Sequence, residues 1–291
     1  MLIVDLNQVM ISNLMMSLGN HADTTNIEED LLRHFILNSL RSYNAKFRAE
    51  YGEMIIACDD KNYWRKQIFP YYKANRKKTR DASKLDWNAI FTVLNKIRDE
   101  LKESFPYRVI QIDSAEADDI IGTLCMKFGN DMPIGGYSDP ILIISGDKDF
   151  RQLQCYSNVK QYDPVRKRWL VEKDPAAYLK EHIIRGDSGD GVPNFLSKDD
   201  CFVSPEGRQK PIAQKKLDVW LKQEPEEFCT PEMLRGWKRN EQMVDLTKIP
   251  TEVQTKILDS YTAQAGKGRD KLFNYFIEHR LRNLLTDIDQ F

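Results

Sequence analysis

Residues 141–144 read Ile-Leu-Ile-Ile, an unbroken apolar run, and Ser145, Gly146, Asp147, Lys148 and Asp149 follow at once. A strand apolar at every position is buried on both faces, the condition of a strand inside a parallel sheet covered by helices. Three more runs share this design. Leu2-Ile3-Val4 ends in Asp5, and Met54-Ile55-Ile56-Ala57-Cys58 ends in Asp59 and Asp60. Arg108-Val109-Ile110-Gln111-Ile112 leads into Asp113 and then Glu116, Asp118 and Asp119. Helical patterns separate the runs. Asn26 caps a predicted helix over Ile27, Leu31, Phe35, Leu40, Tyr43 and Phe47, closed by Gly52. Asp86 caps another carrying Ile90, Leu94, Ile97 and Leu101, and a third uses Ile120, Ile121, Leu124 and Phe128. The expected class is α/β with a parallel sheet.

After Asp149 the pattern changes. Val159 to Tyr162 and Trp169 to Val171 read as a short hairpin around Pro164. Asp174-Pro175 starts a helix that runs to Gly186. A Gly-rich turn follows, holding Asp187 and Asp190. Beyond it the chain is helical and polar, closing on one amphipathic helix over Leu272, Phe276, Leu281 and Leu285. The expected division is an α/β part over 1–172 and a smaller helical part over 173–291.

Each acid has a plain explanation as a helix cap or a favourable partner of a helix N-terminus. Their shared placement does not. In an open parallel sheet the carboxyl ends of all strands lie on one edge, where ligands bind. Asp5, Asp59, Glu116, Asp118, Asp119, Asp147 and Asp149 therefore converge, and Asp187 and Asp190 close the group from the following turn. Crowded carboxylates raise one another's pKa, and a bound divalent cation removes that penalty. All-oxygen donors without thiolates favour Mg²⁺ or Mn²⁺ over zinc. Two such ions about 3.5–4 Å apart clamp the attacking and leaving oxygens of a phosphodiester displacement.

The stretch from Lys61 to Arg80 contains no acid, yet it holds Lys61, Arg65, Lys66, Lys73, Arg76, Lys77, Lys78 and Arg80, interleaved with Tyr63, Trp64, Phe69, Tyr71 and Tyr72. Basic side chains offset backbone phosphates and aromatic faces stack on bases, so this segment is expected to meet nucleic acid. Unpaired charge of one sign also disfavours a compact state, so the segment is expected to order on binding.

A formal net charge of −1 hides this segregation, because 30% of the residues are charged. Three apolar residues precede Asp5, so no secretory segment is expected, and no apolar run approaches the length of a membrane span. The five cysteines form no CxxC pair and the four histidines no zinc spacing, which fits a reducing cytosol.

Leu2-Ile3-Val4-Asp5, Ala57-Cys58-Asp59, Glu116-Ala117-Asp118-Asp119, Ile144-Ser145-Gly146-Asp147-Lys148-Asp149 and Gly186-Asp187-Ser188-Gly189-Asp190 resemble, in order and spacing, the acidic motifs of the flap endonuclease and 5′-nuclease family. Tyr63-Trp64-Arg65-Lys66 through Tyr71-Tyr72-Lys73-Ala74-Asn75-Arg76 resembles its arch. Met243-Val244-Asp245-Leu246, Ile249-Pro250 and Lys271-Leu272-Phe273-Asn274-Tyr275-Phe276 extend the likeness to its phage ribonuclease H branch of the T-even type, over nearly the whole chain. The resemblance implies a PIN-like 5′-nuclease core with a helical C-terminal DNA-binding domain. It implies a 5′→3′ nuclease that removes RNA primers from RNA–DNA hybrids, degrades adjacent DNA and cuts 5′ flaps in replication. Carried over by motif, Asp5, Asp59, Glu116, Asp118, Asp119, Asp147, Asp149, Asp187 and Asp190 hold two Mg²⁺ ions, for which Mn²⁺ can substitute. Lys73 and Arg76 contact the scissile phosphate beside Asp118 and Asp147, while Arg65, Lys66, Lys77 and Lys78 hold the nucleic acid. The implied protein is a monomer in the cytoplasm (the host's, if phage-encoded), off the membrane. Its partners are a hybrid, a nicked or flapped duplex, and replication proteins such as a single-stranded DNA-binding protein. In one respect the chain departs: Gly191-Val192-Pro193-Asn194 opens a helix–hairpin–helix but lacks its second glycine pair.

Two other readings compete. A PIN-type single-strand ribonuclease has fewer carboxylates and no long basic arch. A non-catalytic DNA-binding accessory would use its acids only as caps. A strand-end phosphatase fails, because Leu6-Asn7 supplies no aspartate two residues after Asp5.

Overall fold

The computed structural model describes residues 1–18, 28–129 and 139–291. Asn26, Ile27 and most of the loop expected over 129–140 lie outside them, as do the side chains of Lys77 and Lys78.

Four of the apolar runs form strands β1 (Leu2–Asp5), β2 (Met54–Ala57), β3 (Arg108–Ile110) and β4 (Ile141–Ile144). β5 (Val159–Asp163) and β6 (Arg168–Leu170) complete a six-stranded sheet in the order β3-β2-β1-β4-β5-β6. All neighbours are parallel except β5 and β6, which pair as the expected antiparallel hairpin. The order runs outward from β1 through β2 to one side and from β4 through β5 to the other. The switch point therefore lies between β1 and β4, where a crevice opens beyond the strand ends.

Both faces of the strands are buried. Leu2, Val4, Met54, Ile56, Leu142 and Ile144 join one core, and Ile3, Ile55, Ala57, Ile141 and Ile143 join the other. The first face is covered by α1 (Leu6–Leu18), α2 (Glu29–Tyr51, stopped at Gly52) and, past the two short arch helices α3 (Trp64–Ile68) and α4 (Ala74–Asp81), by α5 (Trp87–Ser104). α5 starts as expected at Asp86, which accepts from the amides of Asn88 and Ala89. α6 (Ala117–Phe128) and a 3₁₀ helix (Lys148–Cys155) cover the second face.

The helical part comprises α7 (Pro175–Arg185), α8 (Gln214–Trp220), α9 (Pro225–Phe228), α10 (Pro231–Val244), α11 (Thr251–Ala263), α12 (Leu272–Glu278) and α13 (Arg282–Leu285). It reaches back onto both faces. Leu246, Ile249, Val253 and Ile257 enter the second core, and Leu272, Tyr275, Phe276, Leu284 and Phe291 enter the first. The single closing helix expected over 272–285 is broken. Arg280 takes a left-handed φ of 53° and the Leu281 amide bonds back to the Phe276 carbonyl, a helix-ending turn that swings Leu281 and Leu284 into the core. None of the described helices is long and apolar enough to cross a membrane.

Candidate metal centre and nucleic-acid interface

Asp5 ends β1 at the switch point. Its Oδ2 accepts from Ser145 Oγ at 3.1 Å and its Oδ1 from the Gln8 amide at 3.1 Å, tying the end of β1 to the turn after β4. Asp59, just past β2, accepts from the Ala117 amide at the start of α6 (2.7 Å) and from Asn7 Nδ2. Asp118, half-buried, faces the same crevice, with Asp147 and Asp59 among the charges it meets. Burial, with those neighbours, lifts its carboxyl well above the usual range. Burial and then the Asp59 charge push Asp5 up to about 7. Burial and then the Asp149 charge push Asp147 up to about 6. Asp147 also caps the 3₁₀ helix through the Asp149 amide at 2.9 Å, so cap and site coincide there.

The Gly-rich turn closes the group. α7 runs from Asp174, which accepts from the Ala177 amide, and stops at Gly186, whose φ is 66°. A Cβ there would lie 2.5 Å from the Val192 and Pro193 carbonyls, so only glycine lets the chain fold back this closely. The turn brings Asp187 beside Lys148, at 2.9 Å, and Asp190 beneath the arch.

At Arg65, Lys73 and Arg76 the arch is not the unpaired charge expected of it. Lys73 sits at a left-handed φ of 55°, and its amide donates to the Asp190 carbonyl at 2.7 Å. Its ammonium pairs with Glu116 and lies 3.5 Å from Asp190, whose other oxygen is held by Arg76. Burial works against the charge on Lys73, but Asp190 and Glu116 outweigh it and raise its pKa. Burial likewise opposes the charge on Asp190, but Lys73 and Arg76 hold its carboxyl below the usual range. The Tyr72 hydroxyl bonds Glu116 and Asp190, both at 3.0 Å.

Arg65 corrects the expectation that it holds nucleic acid. It is 2% exposed, with Nη1 2.9 Å from Glu116 and 2.8 Å from Asp119 and Nε donating to the Met243 carbonyl. Asp119 likewise does not face the crevice. Its Oδ2 accepts from Trp64 Nε1 at 3.1 Å and from the Glu116 amide at 2.8 Å, capping α6. Trp64, Phe69 and Tyr72 are interior packing residues rather than stacking platforms. Lys66 stays outside, over the Tyr63 ring, and lines a cleft of about 990 Å³ with Asp59, Arg80, Trp87 and Phe91.

Sequence reasoning passed over His182, on the last turn of α7. Its Nε2 is 2.9 Å from Asp149 Oδ1 and 3.9 Å from Asp187 Oδ2. The expectation from the sequence tested histidines only for zinc spacing; the signal was a lone histidine five residues before Asp187 on a helix ending at the acidic turn. The crevice suits a hard divalent cation. Burial and crowding oppose the ionisation of Asp5, Asp59, Asp118 and Asp147, and Asp149 Oδ1 and His182 Nε2 are buried without an aligned hydrogen-bond partner.

Residues 2–183 match the family model of the 5′-3′ exonuclease N-terminal resolvase-like domain, and residues 175–291 match that of the T4 RNase H C-terminal domain. The chain is 33% identical to ribonuclease H of Enterobacteria phage T4, covering 99% of this chain and 95% of that protein. It is 30% identical to flap endonuclease Xni of Shewanella sp. (strain MR-4), over 48% of this chain and 51% of that protein. The fold is similar to that of the phage T5 5′-exonuclease with zinc ions bound, at TM-score 0.56 and 19% identity, covering 91% of this chain and 99% of that one. Both halves of the sequence and the full length of a relative thus agree: the chain belongs to the 5′-3′ exonuclease family, with a C-terminal part of the T4 ribonuclease H kind.

Proposed function

We propose that the protein is a Mg²⁺-dependent 5′→3′ nuclease that removes RNA primers and adjacent DNA and cuts 5′ flaps during replication in the host cytoplasm. The observation that carries this reading is the crevice at the switch point, where Asp5, Asp59, Asp118 and Asp147 oppose one another's ionisation beneath a basic arch. Caps account for Asp119 and for part of Asp5 and Asp147, but not for Asp118, which disfavours a purely accessory DNA-binding protein. A PIN-type ribonuclease is disfavoured by the arch and the family match.

Asp5, Asp59, Asp118, Asp147, Asp149, Asp187 and Asp190 are the residues that would hold the cations, with Glu116 behind them, neutralised by Arg65 and Lys73. Bound divalent cations supply charge neutralisation at the phosphodiester and an activated water. The chain does the rest. Lys73 and Arg76 present positive charge at the mouth of the crevice. The helices after residue 172, with the turn from Gly191, grip the duplex. The cleft beside Asp59, with Trp87 and Phe91 in ring contact at 5.8 Å, accommodates unpaired nucleotides.

The test is cleavage of a 5′-labelled RNA–DNA hybrid, a nicked duplex and a flapped duplex under identical Mg²⁺. Ca²⁺ should support binding but not cutting, because its larger, looser oxygen shell does not hold in-line geometry. Efficient cleavage with Ca²⁺, or activity that survives EDTA, contradicts the reading.

Lys73 separates catalysis from attraction. Its ammonium is preorganised by Glu116 and Asp190, so Lys73→Ala is expected to lower single-turnover cleavage at saturating enzyme by about 10²–10³-fold. Lys77→Ala with Lys78→Ala should instead weaken binding and flatten its salt dependence, by about 0.9 in log–log slope per lost phosphate contact. Equal losses of affinity with full single-turnover rates in both variants would leave Lys73 without a catalytic part.

A further inference from the structure

One side chain in the crevice has no place in an all-oxygen magnesium site. His182 is 6% exposed, and the packing of the 3₁₀ helix against α7 points its Nε2 between two carboxylates of different elements. Among the described residues, Asp149, His182 and Asp187 offer three ligand atoms all within 4.8 Å of one another. Two metal–ligand bonds of about 2.1 Å laid end to end span about 4.2 Å, so shifts of under an ångström let one cation touch all three. Nε2 of His182 and Oδ1 of Asp149 face each other at 2.9 Å, yet neither is aligned for a hydrogen bond. That distance is an ion pair when the ring is protonated, so a proton or a cation on Nε2 is what lets the imidazole sit against the carboxylate, and the two compete for one lone pair. The ring is held in place: Tyr178 stacks on it, with centroids 6.0 Å apart and planes 26° apart, and the Arg151 guanidinium lies over Tyr178.

We propose that His182 completes, with Asp149 and Asp187, a mixed nitrogen–oxygen cation position that prefers Mn²⁺ or Co²⁺ to Mg²⁺. This rests on the reading of the crevice as a divalent-cation site and adds to it a selectivity at one of its positions. Imidazole suits first-row transition metals, whereas Mg²⁺ takes oxygen donors. Asp5 and Asp118 belong to no such histidine-containing group among the described residues, so the preference is confined to one position. Lys148, 2.9 Å from Asp187, is half exposed and free to swing into solvent when a cation takes that carboxylate.

The experiment uses the full chain, stripped of metal and labelled with ¹⁵N-histidine. With four histidines in the sequence, the imidazole spectrum is simple, and the His182 ring is assigned through its contact with Tyr178 or by its loss in His182→Gln. Titration with Zn²⁺, a diamagnetic stand-in, should shift the His182 Nε2 resonance at one equivalent. Calorimetry should show Mn²⁺ affinity at one site falling on the order of 10–100-fold in His182→Gln, with Mg²⁺ affinity changed by less than about threefold. If cations bind while the His182 resonance stays still, the imidazole is only a neighbour of Asp149 and the selectivity is overturned, with the metal centre intact. If no divalent cation binds at all, both readings fall. If His182→Gln does not fold, the wild-type resonance alone decides.

Discussion

Asp147→Asn is expected to lower turnover about 10³-fold or more while leaving the protein folded. Asp147 follows β4 at the switch point, and its Oδ1 accepts from the Asp149 amide. Asparagine keeps an oxygen for that bond, so the 3₁₀ helix retains its cap. The variant loses only the charge, and with it the share of several kcal/mol that a cation contributes at the phosphodiester. Each 1.36 kcal/mol is tenfold in rate, which sets the scale. In EDTA the sign reverses. Asp5 and Asp147 ionise near the usual 3.8 in the unfolded chain but near 7 and 6 in the folded protein. Between about pH 4 and 7 the folded state therefore holds protons that the unfolded chain has released, and stability falls as pH rises through that window. Asp147→Asn should melt higher than wild type in EDTA at pH 7.5 and lose part of that slope. Cleavage of a labelled hybrid and thermal melts at pH 5 and 7.5 measure both effects. Wild-type turnover in this variant would remove the metal centre from the argument.

Arg65→Met is expected to cost about 3–5 kcal/mol of stability, the scale for removing one partner of a buried ion pair. The guanidinium links Glu116, Asp119 and the Met243 carbonyl, and it stacks on Trp64 at 4.5 Å. Methionine fills similar space but leaves Asp119 buried without a counter-charge and Glu116 with Lys73 alone. Urea unfolding gives the loss. Adding Asp119→Asn should recover part of it, since the uncompensated charge is then gone. A loss below about 1 kcal/mol, or a change in the salt slope of nucleic-acid binding in a variant that still folds, would mean that Arg65 faces substrate after all.

These variants mark where the sequence was legible. The strands, their shared acidic edge, the caps at Asp86 and Asp174 and the stop at Gly52 are local signals, carried by periodicity and by residues adjacent in sequence. Arg65 was misjudged because the acids that neutralise it lie about fifty residues on, so a segment acid-free along the chain has Arg65, Lys73 and Arg76 paired in space. Asp119 was read with the metal ligands because carboxylates at 116, 118 and 119 look alike until the helix starts. α6 turns Asp119 inward to Trp64 and Arg65 and leaves Asp118 in the crevice. His182 lacked any local signal beyond its place on a helix. The break at Arg280 depends on a tertiary demand, the placing of Leu281 and Leu284 in the first core, that helical spacing alone does not register.

The way the last helices close over the first core bears on the order of synthesis. β1 emerges first, yet one of its two neighbours is β4, so Leu2 waits for Leu142. Asp190 must arrive before Lys73 has its second partner, and the core under Leu2, Val4 and Ile56, covered by α1, α2 and α5, is completed only by Leu272 and Phe276. Contacts so distant along the chain make folding slow and late. A nascent polypeptide of this kind therefore completes its crevice only after residue 190 has been made, and its first core only after residue 276.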